Sequence, residues 1–143
     1  MKLLVDIRRP DLALLLSLGL AACGSESPSS VSTTQSAAPV VTFASQVEAG
    51  AEAYATNCAI CHGANLEGST LGPLLSGFSW VRRWGTQTPT LLLGNIQANM
   101  PPGGNENIST EDYINIVAHI LSVNGVDTVS DALAATTDFE IAD

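Results

Sequence analysis

Basic side chains are scarce in this chain of 143 residues, which has five lysines and arginines against fourteen carboxylates and a formal net charge of −9. Lys2, Arg8 and Arg9 lie near the N-terminus, so the rest of the chain keeps only Arg82 and Arg83. Such an acidic surface repels nucleic acid and anionic membranes. It suits a protein partner with a basic docking patch, although acidic charge that serves only solubility explains the same composition.

Soft metal ligands are also few, since the chain has three cysteines and two histidines. A structural zinc site commonly needs four such ligands. A site built on Cys58 and Cys61 needs two more soft ligands, and beyond the adjacent His62 the chain offers only Cys23 and His119. A catalytic dithiol usually lies in a βαβ pattern, and this chain shows no such pattern. The small number of soft ligands weighs against a zinc site, and the missing βαβ pattern weighs against a catalytic dithiol.

What the chain does contain is Cys58-Ala59-Ile60-Cys61-His62, the Cys-x-x-Cys-His attachment pattern of c-type haem. Two thiols about one helical turn apart can add to the two vinyl groups of one porphyrin. The adjacent histidine then falls beneath the iron as its ligand. The pattern predicts one covalently bound haem c, with Cys58 and Cys61 as thioethers and His62 as an iron ligand.

The first 22 residues do not resemble part of a fold. A basic start precedes an apolar run from Leu12 to Leu20, which is too short to span a bilayer as a mature helix. This is typical of a secretory signal, and Leu20-Ala21-Ala22-Cys23 resembles a bacterial lipobox. An ordinary signal peptide with an incidental cysteine is the alternative, but an unpaired thiol in an oxidising compartment favours lipidation. We therefore predict a signal peptide at 1–22 and a lipid on Cys23.

The predicted location is the periplasm, with the protein tethered by this lipid to a membrane. Gly24, rather than an aspartate, follows the cysteine, and by analogy with Gram-negative lipoproteins this favours the outer membrane. Residues 23–42 are rich in Ser, Thr, Ala and Pro and are predicted to be a flexible linker. Residues 43–125 are the predicted folded domain, and 126–143 form an acidic tail that either wraps the domain or stays disordered.

Helical patterns occur at three places in the folded segment. Val47, Gly50, Ala51 and Tyr54 recur at helical spacing between residues 45 and 57. Pro89 suits the first turn of a second helix, which carries a run of leucines towards Met100. Ser109 and Asp112 resemble a capping box before an apolar stripe that ends at Asn124-Gly125.

Met100 directly precedes Pro101-Pro102-Gly103-Gly104, and such residues specify an irregular loop. A methionine there is an unusual core residue, but it fits a thioether that a stiff loop holds at the iron. The only other methionine is Met1. Met100 is therefore the predicted second axial ligand.

Haem propionates are anionic, and Arg82 and Arg83 are the only basic side chains after Cys23. Arg82, Arg83 or the neighbouring indole of Trp84 is predicted to meet a propionate. A surface pair of arginines or a partner contact is the alternative. The sequence does not choose between the two arginines.

The run from about residue 47 to 124 resembles a small bacterial class I cytochrome c domain. The matching residues are Gly50 and Tyr54, the pattern at 58–62, Gly72-Pro73-Leu74-Leu75, Asn99 to Gly103, and Ser109 to Asp112. The resemblance implies an all-α cytochrome c fold of a few short helices around one haem, with the first and last helices crossing near Gly50. It also implies that the Pro73 carbonyl accepts a hydrogen bond from His62, which orients the ring and raises its basicity. The family often has an aromatic residue where this chain has His119, which is expected to pack between helices rather than bind iron.

Ligation by His62 and Met100 would leave no open position for oxygen or peroxide. The expected function is therefore a one-electron carrier rather than an enzyme, passing electrons between a dehydrogenase or other donor and a terminal acceptor. The loop at Met100 is similar to that of cytochromes served by quinoprotein-type dehydrogenases and of carriers that feed terminal oxidases. Two alternatives stay open: a haem enzyme or gas or redox sensor with a displaceable sixth ligand, and a redox lipoprotein with a bare Cys-x-x-Cys.

Overall fold

The computed structural model describes residues 40–104, 106–127 and 131–142. The predicted signal peptide, Cys23 and most of the predicted linker lie outside these residues. The described residues form five helices and no β-strand: α1 (Phe43–Asn57), α2 (Ala59–His62), α3 (Phe78–Trp84), α4 (Pro89–Asn99) and α5 (Thr110–Val123). The all-α prediction is confirmed. Within this part of the chain, no helix combines the length and the apolar character needed to cross a membrane.

Helix α1 begins at Phe43 because a capping box closes its first turn. The Thr42 hydroxyl accepts a hydrogen bond from the Ser45 amide at 3.2 Å, and the Ser45 hydroxyl accepts one from the Thr42 amide at 2.9 Å. Two amides that have no partner within the helix are thereby satisfied. Thr42, which the sequence placed in the linker, is thus the N-cap of the first helix.

The two later predicted helices are also confirmed. Pro89 occupies the first turn of α4, and the helix ends at Asn99 so that Met100 is its C-cap. At the start of α5, the Ser109 hydroxyl accepts from the Asp112 amide at 3.0 Å while the Asp112 carboxylate accepts from the Ser109 amide at 3.2 Å. This is the capping box that the sequence predicted, with Asp in place of Glu.

Helices α1 and α5 cross at Gly50, and the glycine is required there. A β-carbon at position 50 would overlap the backbone carbonyl of Asn115 and would lie 3.0 Å from the Cβ of His119. One turn further along α1, the buried ring of Tyr54 packs against the His119 ring, with centroids 5.5 Å apart. The predicted packing role of His119 is confirmed, and the crossing fixes the framework on which the other elements lie.

The remaining elements attach to this helix pair in different ways. Among the described helices, close packing joins α1 to α5, α4 to α5 and α1 to α2. Helix α3 packs closely against none of the other helices and is held by loops and side chains. The tail is ordered from 131 to 142, where Leu133 and Ile141 are buried in the main core. The fold therefore has two sides, the crossed pair α1–α5 and the pair α3 and α4. Helix α4 packs on α5, whereas α3 packs closely on no other described helix.

Candidate haem site

One cavity of about 360 Å³ lies between the two sides of the fold. Its size falls within the range of about 300–1,000 Å³ that is usual for cofactor and ligand pockets. The walls are mostly apolar and come from the α1–α2 junction, the loop after α2, and helices α3, α4 and α5. The lining includes Asn57, Cys58, Cys61, His62, Pro73, Leu74, Leu75, Trp80, Arg83, Trp84, Leu92, Ile96, Met100, Pro101, Ile116 and Ile120.

Both cysteines of the motif reach this cavity from the corner between α1 and α2. Cys58 caps the end of α1 and the start of α2, and Cys61 lies one turn later within α2. Both are half-buried free thiols. Burial raises the pKa of the Cys58 thiol to about 11, and proximity to Cys61 adds to the shift. The raised pKa of Cys58 is opposite to the lowered pKa that activates a catalytic thiol.

His62 is buried in the cavity wall with a fixed ring orientation. Its Nδ1 atom lies 2.7 Å from the backbone carbonyl oxygen of Pro73. Because a carbonyl can only accept, Nδ1 carries the proton, and Nε2 keeps its lone pair free for a metal. Gly72 permits this approach, since a β-carbon there would lie 3.0 Å from Cε1 and 3.1 Å from Nδ1 of His62. The contact expected for Pro73 is present.

Met100 lines the same cavity from the end of α4. Its side chain is half-buried, and its backbone carbonyl accepts a hydrogen bond from the Tyr113 hydroxyl at 2.8 Å. The sequence assigned Tyr113 only to the apolar stripe of α5 and did not predict this contact. The loop after Met100 is thereby tied to the first turn of α5.

Some of the aromatic and basic residues of α3 line the cavity, whereas Phe78 and Arg82 do not. Trp84 and Arg83 line the cavity, and the guanidinium carbon of Arg83 lies 5.6 Å from the Trp84 ring centroid. Both arginines are solvent-exposed, and Arg82 is not among the lining residues. Trp80 also lines the cavity and is buried. Its Nε1 has no hydrogen-bond partner among the described residues.

These residues fit a haem. Buried indole N–H groups usually find an acceptor, and the Nε1 of Trp80 lacks one in a cavity that Arg83 also lines. An anionic group of a cofactor would satisfy both. The apolar walls suit a porphyrin face, and the two thiols and the imidazole are the attachment groups that the motif requires. Within the described residues no three His, Cys, Asp or Glu side chains form a cluster suited to a bare metal ion.

Comparison with known proteins agrees with this chemistry. A family model described as cytochrome c oxidase, cbb3-type, subunit III matches residues 45–120. The chain is also similar to the cbb3-type cytochrome c oxidase subunit CcoP of Rubrivivax gelatinosus, with 35% identity over 78 residues. That alignment covers 53% of the chain and 25% of the relative, so the chain spans about a quarter of that protein's length.

Among solved structures, the chain is similar to the sulfane dehydrogenase SoxCD from Paracoccus pantotrophus, with 30% identity and a TM-score of 0.46. The superposition covers 61% of this chain and 46% of the other. The family match extends over more than half of the chain and includes the Cys-x-x-Cys-His segment, Met100 and most of α5. The chain therefore belongs to the family of cytochrome c domains described as cbb3-type cytochrome c oxidase subunit III, an electron-transfer family, and its cofactor is a covalently bound c-type haem.

Proposed function

We propose that this protein is a one-electron carrier in which His62 and Met100 ligate the haem iron from opposite sides. The supporting observation is that both side chains line one cavity together with Cys58 and Cys61. In that cavity the Nδ1 of His62 is engaged by the Pro73 carbonyl, so Nε2 is the free ring nitrogen. Met100 contributes the only thioether of the described residues.

The chain's own residues have separate tasks in this proposal. Cys58 and Cys61 hold the porphyrin, and the Pro73 carbonyl keeps the His62 imidazole oriented and electron-rich. Met100 would supply its sulfur to the iron, and its loop would hold that sulfur in place and thereby exclude water and small ligands. Arg83 would offset propionate charge, and the Trp80 Nε1–H would donate a hydrogen bond to a propionate. When bound, the haem supplies one iron that gains and loses a single electron, with a potential raised by thioether ligation.

The competing proposal is a haem enzyme or a gas or redox sensor, which requires an open or easily displaced sixth position. An absorbance spectrum of the holoprotein, recorded through a redox titration, separates the two. The carrier predicts low-spin ferric haem with the charge-transfer band of an iron–methionine bond. High-spin ferric bands would support the enzyme or sensor. Extraction with acid and acetone adds the last test, because haem that leaves the protein is not covalently attached.

The proposed partners are redox proteins with a basic docking patch. Twelve carboxylates and only two arginines follow Cys23, and the relative named as an oxidase subunit supports a place on a path to a terminal oxidase. A dehydrogenase is the proposed donor. Because charged surfaces steer encounters, oxidation by a cationic cobalt complex should slow as salt rises from about 0.01 M to about 0.15 M, whereas oxidation by ferricyanide should accelerate. If neither oxidation rate depends on salt, the acidic surface does not steer partners, and solubility is the role left for its charge.

Membrane attachment is proposed from Cys23 and its preceding lipobox alone, since these residues lie outside the described part of the chain. Two or more acyl chains anchor a protein stably, whereas one does not. When the gene is expressed with its leader in a Gram-negative host, the wild-type protein should fractionate with periplasm-facing membrane, with the outer membrane favoured. Cys23→Ala should release the holoprotein to the soluble periplasmic fraction. An unlipidated Cys23 in mass spectra would overturn the anchor and leave electron transfer untouched.

A further inference from the structure

The C-terminal strap, which we define as residues 131–142, begins with a paired contact to α1. The side-chain Nε2 of Gln46 donates to the Leu133 carbonyl at 2.9 Å, and the Leu133 amide donates to the Gln46 Oε1 at 2.7 Å. Gln46 and Leu133 are both buried. A side-chain amide that satisfies both backbone groups of one residue fixes that residue's position and orientation.

The other end of the strap holds the connection between α3 and α4. The Ile141 amide donates to the Gln87 carbonyl at 3.0 Å, and the Ala142 amide donates to the Gly85 carbonyl at 2.9 Å. Gly85 is buried, and a β-carbon there would lie 3.0 Å from the Cβ of Ala142. In the middle of the strap, the Thr90 hydroxyl of α4 donates to the Thr137 carbonyl at 2.8 Å.

The elements joined by the strap are the two sides of the haem cavity. Helices α3 and α4 supply Trp80, Arg83, Leu92 and Ile96, and Met100 follows directly. Helix α1 leads into the segment with both cysteines and His62. Because α3 does not pack closely on another described helix, the strap provides a direct connection between these sides. It also lies beyond the family match, which ends at residue 120.

We propose that the strap is a positioning element that holds the α3–α4 side of the cavity against α1 and thereby keeps Met100 at the iron. This rests on the proposed role of Met100 as a ligand. For an external ligand to enter, the sulfur must leave, which requires a local opening of the segment that carries Met100. The free energy of that opening depends on the contacts that hold the segment in place. Loosening the strap therefore lowers the free energy of this local opening without changing any residue that lines the cavity.

The test compares Ile141→Asp, which places a charge in the buried end of the strap, with Ala135→Asp, which adds the same charge at an exposed strap position. Imidazole is the probe ligand for the ferric holoprotein. Ile141→Asp should bind imidazole roughly tenfold faster, because strap hydrogen bonds and apolar burial are lost from the closed state. Amides of α4 should exchange hydrogen faster in the same variant, with those of α1 and α5 less affected. Ala135→Asp should behave as wild type in both measurements.

A general loss of stability is controlled by Val117→Ala, which removes buried methyl groups from α5 outside the strap and outside the cavity lining. If Val117→Ala accelerates imidazole binding as much as Ile141→Asp does, or if Ile141→Asp matches Ala135→Asp, the proposal is overturned. If the wild-type spectrum shows no methionine ligation, the proposed function fails, and the exchange of α4 amides still decides whether the strap holds that helix.

A milder pair covers the case in which Ile141→Asp yields no holoprotein. Gln46→Glu removes the donor to the Leu133 carbonyl and points a carboxylate at it, while Gln97→Glu adds the same charge at an exposed position. The strap predicts faster imidazole binding and faster α4 exchange in the first variant only. Equal behaviour of the two variants would contradict it.

Discussion

The hydroxyl group of Tyr113 donates a hydrogen bond to the backbone carbonyl of Met100 across 2.8 Å. A second tyrosine makes the matching contact on the other side of the site, where the Tyr54 hydroxyl donates to the Gly63 carbonyl at 2.7 Å. Gly63 directly follows His62. Each proposed iron ligand therefore has neighbouring backbone that is held by a tyrosine from one of the two crossing helices, α5 or α1.

Removing the Tyr113 hydroxyl should weaken methionine ligation selectively. Tyr113→Phe keeps the ring and loses one hydrogen bond, which should lower the free energy of unfolding by about 1 kcal/mol. Because the lost bond holds the Met100 loop, the ferric holoprotein should also bind imidazole roughly fivefold more tightly. Tyr54→Phe is the matched control, with a comparable loss of stability and unchanged imidazole affinity. Equal imidazole affinities in the two variants would show that the Tyr113 contact does not position Met100.

Gly72→Ala should alter the midpoint potential of the haem, because the added methyl group crowds the His62 ring. The added β-carbon would lie 3.0 Å from His62 Cε1 and from the Cys61 carbonyl oxygen, so the imidazole is pushed out of its present position and its 2.7 Å contact with the Pro73 carbonyl is disturbed. A weaker Nδ1–H bond makes Nε2 a poorer donor to the iron, which destabilises the ferric state and raises the potential. Gly94→Ala is the control, because a β-carbon on this exposed residue of α4 meets nothing within 4 Å. Identical potentials for the two variants would contradict the role of the Pro73 contact.

The two arginines should differ in their effect on the potential. Arg83 lines the cavity, whereas Arg82 does not. Removing a cation near the iron favours the more positive ferric state, so Arg83→Gln should lower the midpoint potential more than Arg82→Gln does. Trp80→Phe should shift it in the same direction as Arg83→Gln, because an anionic propionate loses the buried Nε1 donor. Equal shifts from the two arginine variants would place the propionates elsewhere.

His119 should make the protein less stable in mild acid. Burial lowers the pKa of His119 below its ordinary value of 6.5, so the folded state binds this proton less readily than the unfolded chain. Stability from this residue is complete above about pH 6.5 and is lost as the pH falls towards the folded-state value. His119→Phe keeps a ring against Tyr54 and removes the titration. The measurement is the melting temperature of both holoproteins between about pH 8 and about pH 5.5. If the variant melts at a lower temperature than wild type at about pH 8, the two melting temperatures should converge as the pH falls. If it melts at a higher temperature there, they should diverge. A constant difference would show that His119 does not contribute to the pH dependence.

The elements that the sequence predicted are those with strong local signals. The capping box at Ser109 and the proline at the start of α4 each specify a helix terminus through the chemistry of a few neighbouring residues. The helix crossing is an expectation from the resemblance to class I cytochromes c, and Gly50 and Tyr54, which lie four residues apart on one face, fit it. The Cys-x-x-Cys-His motif is similarly local, since it occupies five consecutive residues.

Helix α3 was missed for a physical reason. It has seven residues between Gly77 and Gly85, which is too short for a 3.6-residue period to repeat clearly. The sequence predicts haem contacts for its aromatic and arginine residues. Without the helix, it does not show which of them face the cavity. Only the backbone of α3 separates Trp80 and Arg83, which line the cavity, from Arg82, which does not.

The contacts of the tail and of Tyr113 were inaccessible to sequence reasoning because they join distant parts of the chain. Gln46 and Leu133 are 87 positions apart, and neither residue has a pattern that announces its partner. A glutamine on a helix is ordinarily solvent-exposed, and only its burial reveals the double hydrogen bond. In the same way, an aromatic residue on an apolar helical stripe gives no sign that its hydroxyl reaches the Met100 carbonyl.

The most direct test of the account is the ferric absorbance spectrum and the midpoint potential of Met100→Ala holoprotein. If Met100 supplies the second axial ligand, the variant loses the iron–methionine charge-transfer band. Its potential then falls by on the order of a tenth of a volt or more, because the sulfur no longer favours the ferrous state. A variant with the wild-type spectrum and potential would show that the iron is not held between residues 62 and 100.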